Sequence, residues 1–181
     1  ATFTVVLDTQ PTGDVTLQLT SSDTTEGTLS PATSPTLTFT DANWNAPQTV
    51  TLIGVDDALD DGDVDYDAEI AASSTDPKYS GLPVADVSLT NTDDDTIGVT
   101  AGTVSGNTTE AGGTATFTLV LNSQPTQDVT LAVISDDLSE GTIAAASASL
   151  SFTTANWDTA QTVTVTGVDD ALDDGDVDYD A

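Results

Sequence analysis

The chain has 181 residues, with 31 Asp or Glu against one basic residue, Lys78, for a formal charge of −30, and it contains neither His nor Cys. Zinc and transition-metal centres, disulfides and nucleophiles activated by histidine therefore have nothing to build on. The charge excludes nucleic acid as a partner, because no phosphates can be neutralised, and it opposes adsorption to anionic membranes; no run reaches the roughly 20 apolar residues needed for membrane insertion.

Stretches rich in Val and Thr that alternate apolar with polar residues predict strands over 2–7, 15–19, 37–40, 49–53, 64–70 and 84–89. Clusters of Gly, Pro, Asn and Asp punctuate them, and no stretch carries a helical period. In the strand at 64–70, Val64, Tyr66 and Ile70 are expected to face a core, leaving Asp65, Asp67 and Glu69 on one solvated face. The pattern then begins again. Residues 115–118 repeat 1–4, 128–131 repeat 14–17, 155–157 repeat 42–44, and GVDDALDDGDVDYDA occurs at 54–68 and at 167–181. That period of 113 residues (167 − 54) suits a whole domain rather than a solenoid repeat. The expected fold is all-β, with tandem immunoglobulin-like antiparallel β-sandwich domains. Residues 1–95 form a copy lacking its first strand segment, and 96–181 a second copy lacking its last strands. Trp44 and Trp157 are expected to pack near the sandwich edge, with carbohydrate stacking as the alternative. Lacking an initiator Met or a leader, the chain reads as an internal piece of a longer protein.

The acids are concentrated. Seventeen of the 31 fall within 33 residues, namely the two identical segments and Asp93, Asp94 and Asp95. Asp outnumbers Glu by 27 to 4, as suits short-stemmed ligands in turns. Asp56, Asp57, Asp60, Asp61 and Asp63 lie in a loop around Gly62, where the backbone is free to curl about an ion, and Asp169, Asp170, Asp173, Asp174 and Asp176 repeat them. Hard oxygen ligands of this kind point to Ca²⁺ as the cofactor. The spacing is not that of an EF-hand, nor of the Gly-rich nonapeptide of calcium-binding β-helices.

In the order of these parts the chain resembles the Calx-beta domains, calcium-binding sandwiches found in sodium–calcium exchangers and in tandem in large bacterial surface proteins. Glu110 matches the early Glu of that pattern, and Asp23 and Glu26, or Asp136, Asp137 and Glu140, match an acid after an inner strand. The loops at 56–61 and 169–174 match the V-D-D-x-L/I segment, and Asp93, Asp94 and Asp95 the closing Asp run. The resemblance implies that these loops meet at one end of a sandwich, beside the next domain; if Asp93–Asp95 and the loop at 56–63 share ions, calcium fixes the angle between adjacent domains.

The expected function is a calcium-stabilised structural repeat of an extracellular or cell-surface adhesin, stalk or filament. Its partners are neighbouring copies of the same repeat, within one chain or between subunits. The alternative is a calcium-dependent recognition module for a glycan or surface protein. Near-identity of the acidic loops favours the structural class, since recognition surfaces diversify between copies. No enzymatic role is expected: carboxylate pairs can hydrolyse glycosides, but 5% aromatics offer little to line a sugar cleft. A halophile's acidic protein would spread its charge, and one Lys for two domains argues against isopeptide staples. The sequon at Asn107 is a frequent chance occurrence in a Thr-rich chain.

Overall fold

A computed structural model describes residues 1–30, 35–171 and 175–181. Every regular element among them is a β-strand, and the chain divides into two compact units. The first comprises Ala1–Asp57 and Asp61–Asp93, the second Ala58–Asp60 and Asp94–Ala181.

Among the described residues, seven strands build the first unit: β1 (Thr2–Val5), β2 (Val15–Ser21), β3 (Gly27–Ser30), β4 (Thr36–Phe39), β5 (Gln48–Gly54), β6 (Val64–Ser74) and β7 (Val87–Asn91). They form two antiparallel sheets in the orders β1-β5-β3 and β4-β2-β6-β7. Strict alternation in β2 sends Val15, Leu17 and Leu19 inward, where they meet Leu37 and Phe39 of β4 and Val50 and Leu52 of β5. This closed apolar layer makes the unit a β-sandwich; Phe39, Val15 and Leu19 are fully buried, each worth about 1.5–3 kcal/mol in transfer terms.

Strand β6 behaves as its alternation requires. Tyr66 and Ala68 are buried, Val64 and Ile70 half-buried, and Asp65 and Glu69 exposed. Its acids take hydroxyl partners across the sheet. Thr90 donates to Asp65 at 2.6 Å, Ser88 to Asp67 at 2.6 Å and Thr20 to Glu69 at 3.2 Å. The strand expected at 84–89 instead begins at Val87, because the Asp86 carboxylate accepts the Ile70 N–H at 3.3 Å where a ladder bond would form. Strand β3, four residues long, carries too little alternation to be visible in sequence.

The second unit holds β8 (Val99–Ala101), β9 (Thr114–Leu121), β10 (Val129–Ala132), β11 (Gly141–Ile143), β12 (Ser149–Phe152) and β13 (Gln161–Gly167). Its sheets run β11-β13-β9-β8 and β10-β12, over a core centred on Phe152, Val163 and Leu150. Local details recur between the units. Asn43 Oδ1 accepts the Thr40 N–H, and Asn156 Oδ1 the Thr153 N–H, both at 2.5 Å. Trp44 and Trp157 are half-buried against their respective cores, and their carbonyls accept the Leu7 and Leu121 N–H groups. In each unit the Asn fixes the turn that delivers the Trp.

Candidate metal site

Pairing of β3 with β5 sets Gly27 opposite Gly54, so that Glu26, just before β3, lies beside Val55, just after β5; the Val55 N–H donates to the Glu26 carbonyl at 2.9 Å. The chain then enters the acidic loop. One carboxylate oxygen from each of Glu26, Asp57 and Asp61 lies within 4.8 Å of the others. Glu26 is buried at 8% exposure, while Asp57 and Asp61 face solvent. Two oxygens bound to one Ca²⁺ at 2.3–2.6 Å stand at most about 5 Å apart, so this trio fits a single ion. Three like charges at that spacing repel, and one of them is desolvated; a divalent cation offsets both costs. The three carboxylates can therefore hold a metal ion, with a donor set of hard oxygens.

The surroundings preorganise the trio. Asn91, the last residue of β7, donates its Nδ2 to Glu26 Oε2 at 3.2 Å and to the Val55 carbonyl at 2.7 Å. A Cβ on Gly54 would lie 2.5 Å from Asn91 Oδ1, so a larger residue there would displace the Asn91 amide. Gly62 turns the loop with φ of 78°, the left-handed region in which glycine carries no penalty. Its N–H donates to Asp93 Oδ2 at 2.7 Å, and the Asp93 N–H returns to Asp63 Oδ1 at 3.1 Å. Asp63 and Asp93 thus clasp the loop to the end of β7.

The other sequence-predicted ligands take different positions. Asp23 accepts the Thr25 hydroxyl at 2.5 Å and the Thr25 N–H at 2.9 Å, an Asx turn that holds its carboxyl below the usual carboxylate range. Asp137 does the same with the Ser139 hydroxyl and N–H, with the same effect. Asp136 Oδ1 accepts the Asp180 N–H at 2.8 Å, the place that Ser22 Oγ fills toward the Asp67 N–H in the first unit. Asp60 Oδ2 accepts the Ile97 N–H at 2.6 Å within the second unit. Asp56, Asp94, Asp169 and Asp170 are exposed and Asp95 half-buried. Glu110, Glu140 and Asp176 all line one cleft of about 1000 Å³ in the second unit, with Tyr179 beside them. Asp173 and Asp174 lie outside the described residues.

Asn91 is the member that sequence reasoning passed over. Its signal was slight, an Asn at the end of a strand next to an Asp run. No family model, curated protein or solved structure matches the chain.

Proposed function

We propose that this chain is a calcium-stabilised structural repeat of an extracellular or cell-surface adhesin, stalk or filament, in which ions bound by the acidic loops rigidify the array of repeats. The observation that carries the reading is the convergence of Glu26, Asp57 and Asp61 at the start of a segment that recurs letter for letter 113 residues on. Its partners are further copies of the same repeat, consistent with a duplicated core and duplicated turns. Extracellular modules bind calcium at roughly 10⁻⁴–10⁻³ M, so such sites fill outside cells and empty in the cytosol.

Thermal unfolding in calcium, in magnesium and in EDTA tests this. At about 10 mM calcium, roughly 100 times the tighter dissociation constant, linkage contributes about 2.7 kcal/mol. For a unit of this size that raises Tm by roughly 10–20 °C. Magnesium, which demands a tighter octahedron, gives much less. Glu26→Gln removes the buried ligand and abolishes the calcium increment. An unchanged Tm in calcium, or an increment that survives Glu26→Gln, refutes the assignment.

A further inference from the structure

The turn that joins β6 to β7 holds the chain's one Asp–Pro bond, Asp76–Pro77. Asp76 is 4% exposed, and both carboxylate oxygens are fixed: Oδ2 accepts the Thr12 N–H at 2.8 Å and Oδ1 the Lys78 N–H at 2.9 Å. Its own N–H is held by Ser74 Oγ at 2.9 Å. The Asp76 carbonyl oxygen accepts two further N–H groups, from Tyr79 and Ser80, each at 3.0 Å. Tyr79 is buried in the core and bonds Thr9 through its hydroxyl, so these donors belong to a rigid turn.

Those are the parts of an intramolecular acyl transfer: an anionic nucleophile, a carbonyl polarised by two preorganised donors, and a leaving nitrogen without N–H. We propose that Asp76–Pro77 is a self-cleaving bond whose scission the fold promotes. One Oδ bonds to the Asp76 carbonyl carbon, closing a five-membered ring, and negative charge develops on the oxygen that faces the Tyr79 and Ser80 N–H groups. The Pro77 nitrogen takes a proton from solvent in the tetrahedral adduct, the C–N bond then breaks with its electron pair going to that nitrogen, and Pro77 leaves as a neutral amine. Water then opens the cyclic anhydride, leaving Asp76 with two free carboxyls and Pro77 as a new N-terminus. One water is consumed.

The step needs an ionised carboxylate and a protonated leaving nitrogen, so it belongs to acid pH. The Thr12 and Lys78 N–H groups hold the Asp76 carboxyl below its ordinary range, with a smaller contribution from the Lys78 charge. The nucleophile therefore persists where protonation of nitrogen is easier. On the packed loop Asp8 and Asp14 are exposed, and the Tyr79 hydroxyl is turned to Thr9. After scission β7 stays paired with β6 from Val64↔Asn91 to Ala68↔Val87, so the nick is silent until the protein is denatured.

The full chain held at about pH 4, near the ordinary carboxylate value, is compared by intact mass with the same chain in concentrated urea. Fragments ending at Asp76 and starting at Pro77 are expected at least about tenfold faster from the folded protein, part of what preorganised donors supply to enzymes. Asp76→Glu, which enlarges the ring, and Pro77→Ala, which restores an ordinary amide, each remove that advantage, with circular dichroism confirming that the sheets persist. Equal or slower cleavage of the folded chain overturns the proposal, because the bonds to Thr12 and Lys78 then restrain the carboxylate instead of aiming it. Fragments of equal abundance from other Asp bonds overturn it too.

Discussion

Gly27→Ala strikes the packing directly beneath the acid trio. A methyl group there runs into Cζ, Cε2 and Oη of the Tyr66 ring, which is 5% exposed in the core. A ring wedged between two sheets cannot yield by bending, so Tyr66 must leave its place. Overpacking alone costs about 1–3 kcal/mol. Losing the burial of an aromatic side chain brings the total to about 3–5 kcal/mol. The repeat supplies its own control. Gly141 faces the same three ring atoms of Tyr179, but that ring is already half-exposed. Gly141→Ala therefore costs about 1 kcal/mol, the lower end of an overpacking penalty. Urea unfolding followed by Trp44 fluorescence in a Trp157→Phe background reads the first unit, and the reverse background reads the second. Equal losses in the two units, or a loss below about 1 kcal/mol for Gly27→Ala, refute the reasoning.

Asn91→Ala removes the donor shared by Glu26 and the Val55 carbonyl, leaving a buried carboxylate unpaired at a cost of about 1–3 kcal/mol. In urea titrations the loss is larger in EDTA than in calcium, where an ion takes over the Glu26 oxygen; the opposite order places the ion elsewhere. Acid stability follows from Asp23, Asp76 and Asp137, whose carboxyls are held below 3.8 by their hydrogen bonds in the folded state. Their contribution is complete above that unfolded value and is lost as pH falls below it toward the folded values. Combined Asp→Asn substitution flattens the fall of stability below about pH 4 in urea titrations across pH. A slope left unchanged by the triple variant removes these groups from the account.

The strands were largely legible because residues such as those of β2 and β6 obey one period along their whole length. Their ends were not, since a single side chain such as Asp86 can replace a ladder bond. The acidic loop announced itself by composition, yet composition did not separate Asp57 and Asp61 from Asp23. That distinction depends on β3 lying against β5, which brings Glu26 to Val55 across a sequence gap no local pattern records. Asp23 looks equally ligand-like in sequence but is two residues from a Thr, and the Asx turn with Thr25 engages its Oδ1. Asp76 was invisible for a related reason, because its partner Thr12 sits on a distant loop.

The hydroxyl partners of Asp65, Asp67 and Glu69 set the sign of the response to ionic strength. Most acidic proteins offset their anions with lysines and arginines, and added salt weakens those attractions along with the repulsions. Here a single basic side chain, Lys78, is set against 31 acidic ones, and the acids of β6 take neutral Ser and Thr donors that screening leaves untouched. Screening in this chain acts almost wholly on repulsion, so brine tightens the fold where it loosens a mixed-charge surface.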